Sequence, residues 1–286
     1  MDKQKIELCF IDKSIFIAYA SESNQVTVLN SLKADEHSEC LLANYHENKY
    51  LMHAYGKICC IYDTTTLKML YKCTYPKKMS AIACTDNAIL YADRYGDVYQ
   101  IPFNKITMDT IDEKIPTEEY KYGLDEKHYV SSLVFGHQET IDHLLVTPKK
   151  DFIVTIDYAN KIKITKVDTP YVIQTILFAK KKIIFSKMIG NYELLVINED
   201  GTASLWDILS DACYDFHCFS LPLPKIKAYI DKHGLPHIVL GQKLHTINKM
   251  DGKWKHVSEV AINGVIVDVI ENGIVIKIDN KYELLN

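Results

Sequence analysis

Apolar residues in this chain come in strand-length runs. Ala88-Ile89-Leu90-Tyr91, Phe152-Ile153-Val154-Thr155 and Glu193-Leu194-Leu195-Val196-Ile197 are representative, each bounded by Asp, Asn or Gly. β-branched and aromatic residues dominate these runs, and helical spacing is hard to find over as many as ten residues. The pattern predicts an all-β chain.

The turns carry a sharper signal. Six stretches share one form, an apolar strand, a polar tight turn with Gly or Asn, then an alternating strand: Leu51 to Ile58, Ala92 to Tyr99, Thr155 to Ile162, Ile197 to Ala203, Val239 to Leu244 and Val275 to Tyr282. A fainter seventh lies at Ser21 to Val26. Taking the Gly or Asn as marker gives positions 24, 56, 96, 160, 201, 241 and 280. These residue types suit a hairpin that needs positive φ. The spacing is near 40 except for a short first step, 24 to 56, and one long step, 96 to 160, whose excess falls in the polar stretch 104–128. A period of about 40 with four short strands per unit is the signature of a β-propeller of the WD-repeat class. We therefore expect one domain over 1–286, a seven-bladed propeller of four-stranded antiparallel blades with a polar insertion at 104–128. Glu199 to Asp207 ends in the Trp206-Asp207 pair for which that class is named. Gly136-His137 precedes Asp157 by the spacing at which the class ties a loop to a turn, so His137, Asp157, Trp206 and Asp207 are expected in its structural network. The last hairpin, Gly273 to Leu285, leaves no room for a fourth strand. Either Ile6 to Ile11 is lent to it, or the last blade has three strands.

Composition narrows the function. The 286 residues carry a net charge of −4 and a pI near 6.3, which argues against a wholesale electrostatic grip on nucleic acid. Eight cysteines show no Cys-x-x-Cys pair and read as reduced thiols of cytosol or nucleus. The N-terminal apolar stretch is too short for a signal peptide, and no segment approaches a membrane span. We expect a soluble intracellular protein with no membrane partner.

Candidate chemistry is sparse. Cys213, His217 and Cys218 resemble a ligand cluster, but the fourth ligand is missing and the spacing suits no usual zinc site. Cys59 and Cys60 are adjacent on a strand and point to opposite faces. His137 and Asp157 read as structural rather than as an acid–base pair, and Glu118-Glu119 reads as part of a solvated loop. There is no Gly-rich phosphate loop and no nucleophile elbow. We expect no catalytic residue, no metal and no cofactor. The charges say more: Lys161 and Lys163 flank Ile162 and project to one side of a strand, and Lys180-Lys181-Lys182 opens the next unit.

Two segments resemble a particular lineage. Ala92-Asp93-Arg94-Tyr95-Gly96-Asp97-Val98-Tyr99 is similar to its Ala-Asp-Lys-x-Gly-Asp-Val-Tyr segment. Gly136-His137, Asp142, Pro148, Phe152-Ile153, Asp157 and Lys161-Ile162-Lys163-Ile164-Thr165 are similar to the stretch that follows. The lineage is the non-catalytic WD-repeat subunit of the eukaryotic tRNA (guanine-N7)-methyltransferase, and the resemblance runs over roughly 88–210. Three departures stand out: Asp157-Tyr158-Ala159 replaces Asp-Arg-Asp, Ala179-Lys180 replaces a Gly-His, and the chain has no basic tail after Asn286. The resemblance implies a propeller that holds a separate catalytic subunit as a heterodimer. That partner binds S-adenosylmethionine and the tRNA, and the pair methylates N7 of a guanosine in the variable loop. It implies partner-binding roles for Lys163, Lys161 and Arg94, contact with tRNA mainly through the partner, and a place in the nucleus or cytoplasm. The competing readings are a WD-repeat scaffold of another complex, such as ribosome assembly, and a propeller hydrolase.

Overall fold

The structure, a computed structural model, describes the backbone of residues 6–11, 14–20, 26–33, 40–45, 49–63, 65–66, 68–106, 110–125, 128–231, 233–270, 273–278 and 281–285. Side chains are described within 49–264 and at Ile266, Ile274 and Ile276. Among the described residues the strands form seven sheets, distributed over two compact units.

The unit built on 37–183 and 190–192 contains three sheets. In the first, β4 (Cys40–Tyr45), β5 (Tyr50–Tyr55), β6 (Ile58–Asp63) and β7 (Met69–Thr74) lie side by side and antiparallel. The second orders β8 (Met79–Cys84), β9 (Ala88–Asp93), β10 (Asp97–Pro102) and then β12 (Ser132–Gly136). The third is β13 (Ile141–Val146), β14 (Phe152–Asp157), β15 (Lys161–Lys166) and β16 (Ile173–Phe178). The remaining strand, β11 (Ile111–Lys114), comes from the insertion and adds to β7 in parallel.

The other unit holds two four-stranded sheets, β17 (Ile183–Met188) to β20 (Cys213–Cys218) through β18 (Glu193–Asn198) and β19 (Thr202–Asp207), and β21 (Ile226–Ile230) to β24 (Lys253–Ala261) through β22 (Pro236–Leu240) and β23 (Lys243–Met250). It also holds β1 (Ile6–Ile11), β2 (Ser14–Ala20) and β3 (Val26–Lys33), and β25 (Val265–Ile270), β26 (Gly273–Ile278) and β27 (Lys281–Leu285), three strands each. β1 is hydrogen-bonded along its length to β2, so it is not lent to the terminal sheet. The alternative, a last sheet of three strands, is the arrangement found.

The turn markers 56, 96, 160, 201 and 241 all fall between the second and third strands of their sheets, while 24 and 280 lie outside the described residues. One hydrogen bond repeats at these turns. The N–H of the residue that follows, or nearly follows, the fourth strand reaches a turn carbonyl: Tyr75 to Lys57, His137 to Gly96, Ala179 to Asn160, Phe219 to Gly201 and Ile262 to Gln242. This close approach explains the glycines. A Cβ on Gly96, at φ +89°, would lie 2.4 Å from the Glu139 carbonyl oxygen, and one on Gly201, at φ +86°, 2.3 Å from that of Phe219.

The stretch 104–128, expected as a polar loop, is built in. After β11 comes a one-turn helix, α1 (Thr117–Lys121), whose Glu118 and Glu119 are exposed while Tyr120, which follows them, is buried. Tyr120 enters a core of tyrosines, Tyr71, Tyr75, Tyr91 and Tyr99, shared with Cys59, Cys73 and Ile61. Tyr91 and Tyr99 are cross-strand partners with rings stacked at 5.2 Å, and Tyr120 lies 5.0 Å from Tyr99. Buried phenols need partners. Tyr71 hydrogen-bonds Tyr75 at 3.0 Å and Glu113 of β11 at 3.0 Å, and Tyr120 donates to the fully buried Asp93 at 2.9 Å. Burial pushes these hydroxyls well above the ordinary tyrosine range.

The insertion therefore fastens two sheets, by β11 on one and Tyr120 on the other. Tyr120→Phe should cost about 1–3 kcal/mol, because a buried carboxylate oxygen loses its phenol donor. Gly96→Ala, strained in both φ and space, should cost more than about 1 kcal/mol. Urea denaturation followed by circular dichroism checks both, and an unchanged midpoint for Tyr120→Phe would mean that the contact contributes nothing.

Candidate partner-binding face

The β14–β15 hairpin positions the candidate lysines. Asp157 ends β14, and Asn160, at φ +62°, makes the turn. The Asp157 carboxylate accepts the Lys161 N–H at 2.9 Å and lies 2.9 Å from Nδ1 of His137, whose Nε2 lies 2.7 Å from Oγ1 of Thr155. All three side chains are buried. The tautomer that satisfies both contacts carries its proton on Nδ1, so the Thr155 hydroxyl donates to Nε2. Burial holds the His137 imidazole below its ordinary value against the opposing hydrogen bond from Asp157, and the nearby Lys163 charge lowers it further.

Asp93 ends β9 in the same way. Its Oδ1 accepts the N–H groups of Tyr95 (2.7 Å) and Asp97 (3.2 Å), and its Oδ2 accepts the Tyr120 hydroxyl, with the Lys77 ammonium 3.7 Å away. Tyr120 stands to Asp93 as His137 stands to Asp157. Trp206 and Asp207 are not members of the His137 network. They end β19, where Asp207 Oδ1 accepts the N–H groups of Leu209 and Ser210 and so caps the next turn. The four residues form two separate arrangements on two sheets.

Lys161 and Lys163 are both half-buried, on either side of the fully buried Ile162. Lys163 donates from Nζ to the Gly136 carbonyl at 2.5 Å. Its pKa is lowered, by burial first and by the Lys161 charge second. Lys161 holds its ammonium 5.9 Å from the Phe178 ring centre. Their cross-strand neighbours on β16 are Phe178 and Ile176 respectively, and these apolar side chains are 64% and 46% exposed. Two lysines and two open apolar groups thus share one sheet face, a combination that strand alternation alone did not reveal. Arg94 lies apart, exposed at the β9–β10 turn, with its N–H on the Lys78 carbonyl and its own carbonyl accepting Oγ1 of Thr140.

Of the remaining candidates, Cys213 and Cys218 are exposed free thiols, and His217 stacks on His256 at 4.2 Å. Among the described residues no group of three His, Cys, Asp or Glu side chains could hold a metal ion. Nor, among them, is any helix long and apolar enough to cross a membrane.

Comparison with known proteins gives this geometry a context. A family model described as "tRNA methyltransferase TRM82 WD40 domain" matches residues 12–128. The chain is 26% identical over 178 residues to the tRNA (guanine-N(7)-)-methyltransferase non-catalytic subunit TRM82 of Vanderwaltozyma polyspora, a match covering 59% of this chain and 36% of that protein. It is 24% identical over 224 residues to the corresponding subunit wdr4 of Dictyostelium discoideum, covering 74% and 45%. The chain is a relative of these non-catalytic subunits. It spans less than half the length of the curated relatives it matches. A chain in the crystal structure of the Mitotic Checkpoint Complex superposes over all of it and over 91% of that chain, with a TM-score of 0.64 at 9% identity, a likeness of fold. The all-β architecture is that of a WD-repeat β-propeller.

Buried imidazoles make this relative's stability depend on pH. Burial pushes His143 down to about 4 and lowers His137 as well. An unfolded histidine titrates near 6.5, so below that value the unfolded chain takes up protons that the folded one refuses. Stability is then full above about pH 6.5 and erodes as the pH falls toward 4. The urea midpoint should drop between about pH 7 and pH 5, and His143→Gln should flatten that dependence. An equally steep profile in the variant would remove His143 as its source.

Proposed function

We propose that this chain is the non-catalytic subunit of a tRNA (guanine-N7)-methyltransferase and that it works by holding a separate catalytic subunit as a heterodimer. The partner would bind the methyl donor and most of the tRNA, in the nucleus or the cytoplasm. The similarity to non-catalytic subunits of tRNA (guanine-N(7)-)-methyltransferases supports this reading, and so does the resemblance of the β14–β15 segment to theirs. The observation that carries it is the face on which Lys161 and Lys163 stand beside exposed Ile176 and Phe178.

Such a face suits a partner that brings an apolar group with a carboxylate beside it. Aromatic anchors supply most of the energy of an interface, and a flanking ion pair sets register and specificity. Lys163 is the stronger contact. Its stem is half-buried and its ammonium is already fixed by the Gly136 carbonyl, so little freedom is lost when a carboxylate arrives. Arg94 lies on the adjacent sheet and would be a secondary contact. A slightly acidic propeller is compatible with this division of labour, since the partner supplies most of the phosphate contacts.

Lys163→Glu should weaken binding of the methyltransferase partner by about 2–5 kcal/mol, because it sets like charges together in a partly desolvated contact. Phe178→Ser should weaken it comparably, and Lys161→Ala by less than about 1 kcal/mol. Co-purification from the native cell names the partner, and titration of the variants against it gives the energies. Recovery of ribosome-assembly factors in place of a methyltransferase, or equal affinity for wild type and Lys163→Glu, would refute the proposal.

A further inference from the structure

In the unit of three sheets, the turns between second and third strands and the links from one sheet to the next lie along one rim. Backbone bonds join them in series. Tyr75 N–H reaches the Lys57 carbonyl at 2.8 Å, Arg94 N–H the Lys78 carbonyl at 3.0 Å, Tyr158 N–H the Thr140 carbonyl at 2.8 Å and Ala179 N–H the Asn160 carbonyl at 3.1 Å. Thr140 also donates its hydroxyl to the Arg94 carbonyl at 2.6 Å, so the second and third turns share one anchor.

This rim is basic. Lys57, Lys78, Arg94, Lys180 and Lys181 are exposed along it, with Lys77 and Lys182 half-buried between them. Its carboxylates are fewer and mostly engaged. Asp93 and Asp157 are buried against their own turns, Asp97 lies 3.7 Å from the Lys77 ammonium and Asp142 feels the Lys182 charge, while Glu139 is exposed. Two aromatic rings stand open among the cations. Tyr95 and Tyr158, one at each turn joined to Thr140, are 66% and 59% exposed. The Lys77 ammonium sits 4.0 Å from the Tyr95 ring centre, and the Lys182 ammonium 3.7 Å from that of Tyr158. The turns need only their Asp and their Gly or Asn, so neither ring serves the fold.

We propose that this rim binds RNA directly, Tyr95 and Tyr158 stacking unpaired bases while the lysines meet the phosphates. Open rings interleaved with ammonium groups match that ligand, because every base offers a flat face beside an anionic backbone. An acidic protein surface would use the cations and leave the rings idle. The rim adjoins the β16 face, so an RNA held here would lie beside a subunit docked there. The inference rests on the reading above only for the choice of tRNA as the natural RNA.

The test titrates the full chain, without any partner, into a fluorescein-labelled single-stranded RNA oligonucleotide and into labelled tRNA, following anisotropy at several salt concentrations. Wild type should bind both, with log affinity falling linearly against log salt. Lys180→Glu, Lys181→Glu and Lys182→Glu combined should weaken binding at least tenfold and flatten the salt slope. Tyr95→Ala with Tyr158→Ala should weaken it about tenfold and leave the slope unchanged, as lost stacking requires. Circular dichroism confirms folding, and the milder Lys→Gln set serves if the charge reversal misfolds. No salt-dependent binding by wild type, or full binding by both variant sets, overturns the proposal. So does a charge reversal that abolishes capture of the methyltransferase while RNA affinity holds, which would make the rim a protein contact. Partner capture read on Lys163→Glu fails or succeeds independently of these titrations.

Discussion

A carboxylate shut away from water at the end of a central strand sets the terms for two of the sheets. Asp93 and Asp157 are fully buried, and a buried charge is tolerated only where hydrogen bonds replace its hydration. Part of that replacement is local, since the turn that follows each aspartate turns its N–H groups back onto Oδ1. The other oxygen has to be met from elsewhere in the chain. His137 meets Asp157 from the link between sheets, and Tyr120 meets Asp93 from an insertion. Each turn is thus fixed by its own backbone and by one side chain brought from outside it. The groups carried at these turns, exposed Tyr95 and Arg94 on one and exposed Tyr158 with half-buried Lys161 on the other, inherit that rigidity.

The insertion follows from the same constraint. Beyond β12 stands His137, but beyond β7 stands Tyr75, so the second sheet has no imidazole for Asp93. A phenol solves the problem with an uncharged donor, whose proton burial holds more firmly still. To deliver it, the chain runs out from β10, pairs β11 in parallel with β7 and returns through α1. The parallel pairing covers an outer strand edge of the neighbouring sheet, which removes a surface prone to pairing with other chains.

Those features that backbone sterics dictate were legible in the sequence. Gly56, Gly96, Asn160, Gly201 and Gly241 had to be tolerant of positive φ, so their spacing revealed the repeat and located the long step. The pairing of β1 was not legible, because its six residues, apolar but for Glu7, read the same whichever neighbour they bond. Nor was the role of Tyr120, one of two tyrosines in a polar stretch, whose partner lies far back in the chain. The open face of β16 was hidden for another reason. Ile176 and Phe178 alternate as in any half-buried strand, and nothing local distinguishes an apolar group facing the core from one facing solvent.

A net charge of −4 and a basic rim are compatible because charge acts locally at physiological ionic strength. Screening limits the reach of an exposed charge to roughly 8 Å, so a carboxylate elsewhere on the surface does little to a lysine on this rim. What matters is how cations are held where they stand. Lys163 is tied to a carbonyl, and Lys77, Lys161 and Lys182 rest beside aromatic rings, so each has already lost part of its side-chain freedom in the unbound chain. A charge fixed in advance costs less entropy to use than one on a free stem. Lysines restrained in this way, mounted on turns that buried carboxylates hold rigid, present positive charge in fixed places on a chain that carries no excess of it overall.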